Sequence, residues 1–306
     1  MSAYGTFTAT STSVDLLPST IWDLPQPVRD KPASPFRRLA MHHLRLDRAR
    51  TLPDLLEYTH RVFAAEIEEG RTYPQETDGL GRGSGSDSRG GDGMLSSGVE
   101  DASTADREVY TRAAYEAYFW AGDVIVAIGT EDDAAHGEGT GRGGNVEASR
   151  GGRSWEEALV GFYYVKPNYP GRSSHPTGIR ATVSPLPTPP VTHAMGVLRT
   201  QREGAICNAG FLVPPPHRQF GYGMVLGKSY LHYAPLLGYK ASVFNLVYAS
   251  NTGSLRIWDS LGFTRAGLIP RAGRLRRADG SGEEWVDSII YYRSFVDEKE
   301  WTRPIE

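Results

Sequence analysis

The order of elements across residues 205–263 constrains the fold more than any other feature. "AICNAGFLV" (205–213) is an apolar strand, and "PPPHRQFGYG" (214–223) is a proline turn closed by two glycines. The run that follows is a helix, because Leu226, Tyr230, Tyr233 and Leu237 recur at helical spacing. Pro235 must kink that helix or mark its last turn. "ASVFNLVYA" (241–249) is a second apolar strand, and "TGSLRIWDSLG" (252–262) a short helix. Strands alternating with helices predict an α/β fold with a mixed sheet.

The flanking sequence extends the same pattern. "LAMHHLRL" (39–46), "DVIVAIG" (123–129) and "ALVGFYYV" (158–165) read as strands, the last two as neighbours. "LPDLLEYTHRVFAAEIEEG" (52–70) is a helix with Leu56, Val62, Phe63 and Ile67 near one face. A second helix spans 105–122, with Val109, Ala113, Ala117 and Trp120 on its shared side. "FTRAGLIP" and "WVDSIIYYRSF" are closing strands, and the basic "RAGRLRR" (271–277) between them reads as a solvated hairpin. Glycine-, serine- and proline-rich stretches near 76–102, 131–155 and 176–203 cannot bury enough apolar area to offset their ordering entropy. They are expected to be disordered insertions in a single domain over 34–300, with 1–33 as a flexible arm.

Composition narrows the function. A chain of 306 residues with net charge −3 lacks the basic excess of a nucleic-acid binder. The single cysteine, Cys207, excludes an internal disulfide and lies in an apolar run, where a buried, inert thiol is expected. The eight histidines show no metal-ligand spacing, so no metal is expected; His217 borders the glycine turn and is expected to be exposed. No leader pattern and no apolar run of about 20 residues is present. The expectation is a soluble protein of the cytoplasm, with the nucleus as the alternative.

Three residue sets carry candidate chemistry. In Arg218-Gln219-Phe220-Gly221-Tyr222-Gly223 the glycines precede a helix, where they cost about 1 kcal/mol each relative to alanine. A plain turn explains them; so does an anion held by the unpaired amides of a helix N-terminus. Asn208 and Asn245 are amides amid apolar strand neighbours. Each either bonds nearby backbone or lines a cleft between the two strands. Asn251 stands where an asparagine caps the short helix.

The R-x-x-G-x-G turn and the helix–strand–Asn251–helix order that follows resemble the GNAT N-acetyltransferases. "KPNYPGRSSH" (166–175), "ICNAGF" (206–211) and "SVFNLVYASNTGSLRIWDSLGF" (242–263) are most similar to the fungal proline-analogue acetyltransferases. The resemblance implies a mostly antiparallel, twisted mixed sheet flanked by helices, with a V-shaped splay between two central parallel strands. It implies acetyl-CoA as co-substrate. The pyrophosphate would lie on Arg218, Gln219, Phe220, Gly221, Tyr222, Gly223 and Met224, and the pantetheine arm and thioester along Phe211, Leu212, Val213 and Asn251. Asn208 and Asn245 would contact the acceptor near its carboxylate. The acceptor would be a small amine, such as azetidine-2-carboxylate or another proline analogue, and the chain a homodimer. The family often places a proton-donating tyrosine where Trp258 stands here, which leaves Tyr248 or water for that role. Two alternatives are a protein lysine or N-terminal acetyltransferase and a non-catalytic acyl-CoA-binding module.

Overall fold

The structure is a computed structural model that describes residues 16–25, 33–74, 110–130, 145–168, 206–297 and 299. Runs rich in valine, isoleucine, tyrosine and phenylalanine become strands because such side chains pack on a pleated surface. They are β1 (Thr20–Asp23), β2 (Arg38–Leu44), β3 (Asp123–Thr130), β4 (Leu159–Pro167), β5 (Ile206–Leu212), β6 (Ala241–Tyr248), β7 (Thr264–Arg276) and β8 (Glu283–Ser294). Among the described residues they form one sheet in the order β1-β2-β3-β4-β5-β6-β8-β7. Every neighbouring pair is antiparallel except β5 and β6. This is the mixed, mostly antiparallel architecture that the resemblance implied.

Helices cover both faces. They are α1 (Leu46–Ala49), α2 (Leu55–Glu69), α3 (Arg112–Phe119), α4 (Val146–Arg150), α5 (Trp155–Ala158), α6 (Tyr222–Leu236) and α7 (Thr252–Ser260). On one face α2 and α3 pack Phe63, Tyr115 and Phe119 over Val124, Val126 and Phe162. On the other, α6 and α7 pack Leu226, Tyr230, Tyr233 and Trp258 over Ile125, Tyr163 and Phe244. Pro235 marks the last turn of α6, which continues only to Leu236.

Several expectations are corrected. The arm is not free over residues 16–25: β1 pairs with β2, and Thr20 and Pro18 both meet the buried Tyr233 hydroxyl. Residues 145–155 of the second expected insertion are ordered as α4 and the start of α5. Asn145 caps α4, and Ser154 and Glu157 form a capping box at α5, so local hydrogen bonds stabilise a segment poor in apolar area. The rest of that insertion and the other two lie outside the described residues. So do residues 105–109, the start of the helix expected over 105–122. Its buried side is Tyr115 and Phe119, while Ala113 and Ala117 are exposed, because aromatic area outweighs alanine area in choosing a face. Finally, "RAGRLRR" is not a hairpin loop. Most of it extends β7, where Arg274 pairs with Glu283 across the ladder at 2.8 Å.

Candidate active site

The site begins where β5 and β6 part. These strands pair in register only at Ile206–Ala241 and Cys207–Ser242, and beyond that they separate. The apex is closed by a buried polar cluster. The Tyr230 hydroxyl donates to Ser242 Oγ at 2.7 Å and lies 3.1 Å from Cys207 Sγ. Burial pushes the Cys207 thiol up to about 12, so the expected inert cysteine is present. Past the apex, residues 208–212 keep their β4 partners but, among the described residues, have no strand on the β6 side. On β6 the ladder to β8 is irregular between Phe244 and Val247, which lets Asn245 depart from strict alternation.

The glycine turn closes one end of this gap. Gly221 is the N-cap of α6 with φ 86°, a left-handed conformation, and no side chain caps the helix. Among the described residues, the amides of Gln219 to Gly223 have no internal acceptor; only Met224 N–H is engaged, by Gly221 O at 3.1 Å. Gly223 has a second reason to lack a side chain, since an added Cβ would lie 3.1 Å from Ile257 Cδ1. Asn251 caps α7 by accepting from Ser254 N–H at 3.1 Å, as expected.

Turn and gap open into one cavity of about 670 Å³. It is lined by Asn208, Phe211, Leu212, Val213, Arg218, Gln219, Gly221, Tyr222, Gly223, Met224, Asn245, Tyr248 and Asn251, so it gathers every residue singled out from sequence except Phe220. Phe220 packs instead against the Tyr222 ring at 5.6 Å. Arg218 lines the cavity but is already ion-paired: its guanidinium donates to Glu66 Oε2 at 2.6 Å and to Val213 O at 3.1 Å. It ties the turn to α2 and carries little uncompensated charge. His217 is buried rather than exposed, with Nε2 donating to Glu156 O at 2.8 Å. Trp258 lies against Phe211 and Phe244, with ring centroids at 4.9 and 4.5 Å, and its Nε1 donates to Ser254 Oγ. Its indole fills the gap's floor and is no proton donor to a leaving group.

Sequence reasoning missed Asn168, which is fully buried just beyond β4. Asn168 Oδ1 accepts from Asn208 Nδ2 at 2.8 Å and from Asn245 Nδ2 at 2.7 Å, bridging the two arms of the gap. Its place inside the quoted "KPNYPGRSSH" was the available signal. Also missed were Tyr73, Tyr118 and Tyr164, which line the cavity on the α2–α3 side. Beneath them Lys166 is buried, its Nζ donating to Tyr118 O at 3.2 Å. Burial lowers its ammonium to about 7. No group of metal-ligating side chains occurs among the described residues, and no described helix is long and apolar enough to cross a membrane.

No sequence-family profile matches the chain. It is 43% identical over 141 residues to the N-acetyltransferase aca1 of Schizosaccharomyces pombe, a match covering 46% of this chain and 51% of that protein. It is 30% identical over 142 residues to protein SPT10 of Saccharomyces cerevisiae, covering 46% of this chain and 17% of that one. The chain thus spans about half, or less, of the length of these relatives. A GCN5-related N-acetyltransferase from Kribbella flavida superposes with a TM-score of 0.46 at 16% identity, over 84% of this chain and 97% of that one.

Proposed function

We propose that the protein is an acetyl-CoA-dependent N-acetyltransferase acting on a small amine, with cyclic imino acids such as azetidine-2-carboxylate as the candidate class. One observation carries the reading: among the described residues, the unengaged amides of Gln219 and Gly221–Gly223 and the unpaired edge of β5 belong to residues lining a single cavity that ends at Asn208 and Asn245. Backbone amides at a helix N-terminus suit a diphosphate, and an open strand edge suits an extended amide-containing arm. The similarity to the aca1 N-acetyltransferase supports the same chemistry.

In this reading Gln219 and Gly221 to Gly223 hold the pyrophosphate, while Arg218 keeps the turn in place through Glu66. The strand backbone at Phe211 and Leu212 receives the thioester and supplies the donor for its oxygen as negative charge develops. The neutral amine nitrogen attacks the carbonyl carbon, and the carbon–sulfur bond breaks. The amine's proton passes to solvent, and the departing thiolate is protonated from Tyr248 or water. Acceleration comes mainly from holding the two reactants together in the gap. A small acceptor fits better than a cationic peptide. Glu66 is the sole carboxylate among the described lining residues, and Arg218 and Thr72 already occupy it.

The test is release of free CoA from acetyl-CoA across a panel of amines that includes azetidine-2-carboxylate and cis-4-hydroxyproline. Asn208→Ala and Asn245→Ala should lower amine turnover by roughly tenfold or more while acetyl-CoA still binds, since each deletes a hydrogen-bonding group from the gap. Full activity in both variants on every accepted amine would exclude this acceptor site.

A further inference from the structure

Two buried polar atoms of the cavity-lining residues have no hydrogen-bond partner among the described residues: Asn208 Oδ1 and the Tyr73 hydroxyl. Buried groups of this kind are rare, because each forfeits its hydration without replacement. Both belong to one neighbourhood. Asn208 and Gly210 are two residues apart on β5 and share a face, and the Tyr73 hydroxyl lies directly over Gly210. A Cβ at Gly210 would stand 2.7 Å from that hydroxyl and 2.6 Å from Tyr164 Cε1, so glycine there makes room for the tyrosines.

Asn168 fixes what Asn208 presents. Its Oδ1 takes one N–H from each neighbouring asparagine, so the Asn208 amide nitrogen faces Asn168 and the amide oxygen is turned away unmatched. The Tyr73 ring is held by Phe63, edge to face with centroids 5.0 Å apart, and burial holds its hydroxyl in the protonated form. The neighbourhood therefore offers one fixed acceptor and one fixed hydroxyl, and neither is engaged by the described residues.

We infer that Tyr73 and Asn208 form a two-point clamp for the acetyl acceptor, with Asn168 as the positioning residue that orients Asn208. This rests on the acetyltransferase reading and specifies its acceptor. The acceptor's N–H donates to Asn208 Oδ1, and an oxygen of the acceptor a few bonds away receives the Tyr73 O–H. A neutral secondary amine has one N–H and one lone pair. Holding the N–H and the oxygen together stops rotation about either contact and so fixes the direction of the lone pair, which is what the attack requires. The ligand class is thus a compact amine that also carries an oxygen acceptor.

Tyr73→Phe tests the clamp cleanly, because the hydroxyl it removes has no partner among the described residues. Full-length wild type and variant are compared by CoA release on the amine panel, acetyl-CoA affinity and denaturation midpoint. The expected result is an acceptor KM raised about three- to tenfold, with acetyl-CoA affinity unchanged and the midpoint unchanged or higher. Asn168→Leu should raise the acceptor KM at least as much, and Asn168→Asp, which keeps the shared acceptor oxygen, should restore most of the loss. Wild-type release of CoA with an unaltered KM in Tyr73→Phe overturns the clamp alone. Absence of release by the wild type with every amine overturns the transferase reading and the clamp with it.

Discussion

Lys166 gives the sharpest quantitative test of the chamber beneath the site. Its side chain is 5% exposed, opposite Asn208 in the β4–β5 register, with Nζ 3.7 and 4.1 Å from the centroids of Tyr118 and Tyr164. Burial lowers the ammonium from its ordinary 10.5 to about 7. Between those values the folded chain binds fewer protons at this position than the unfolded chain, so stability rises with pH there and levels off below about 7. At pH 7 the difference disfavours the folded state by about 4 kcal/mol relative to pH above 10.5. Lys166→Met removes this dependence and keeps the volume. At pH 7 the variant should be more stable by about 1–3 kcal/mol, because loss of the ring contacts and of the bond to Tyr118 O offsets part of the gain. The firmer quantity is the slope. Denaturant unfolding of both proteins at pH 7.5, 8.5 and 9.5 should show wild type catching up by about 1.4 kcal/mol per pH unit. All other groups titrate alike in the two chains, so the difference isolates Lys166. A constant difference across that range would mean that the ammonium stays charged in the fold, with the tyrosine rings compensating its desolvation.

Two further outcomes follow from the described geometry. Gly221→Ala places a Cβ at φ 86° and 3.3 Å from Pro25 Cγ, which costs about 1–2 kcal/mol; calorimetric titration should show weaker acetyl-CoA binding than in the wild type, and equal affinity would remove the turn from the cofactor site. Burial lowers His42 to about 4 while its ring nitrogens lie 2.8 Å from Ser19 Oγ and 3.0 Å from Ser149 Oγ; its contribution is complete above pH 6.5 and falls away toward pH 4, by up to about 3 kcal/mol, so His42→Gln should lose less stability than wild type between pH 7 and 4.5.

The elements were legible because their signals are local. Apolar runs, helical spacing in α6 and the proline at its last turn each depend on a few neighbouring residues, and β5, α6, β6 and α7 fall where the periodicity places them. The glycine turn was legible for the same reason: a left-handed φ at the N-cap favours glycine at 221, a preference set by its own backbone. The boundaries of α3 were less so, since its buried face was decided by which aromatic rings could reach the sheet.

What sequence could not supply was partnership across distance. Arg218 looks like a free cation until α2 brings Glu66 within 2.6 Å. His217 looks exposed until α5 supplies Glu156 O. Asn168 looks like a loop residue until the ends of β4 and β5 and the irregular stretch of β6 bring three amides together. Sequence by itself determined which segments are strands and helices, because backbone preference and apolar spacing are properties of neighbours along the chain. Tertiary structure alone decided which polar groups are already satisfied and which two on the cavity-lining residues remain unmatched among the described residues, because a hydrogen bond or ion pair depends on distances of about 3 Å between residues far apart in sequence.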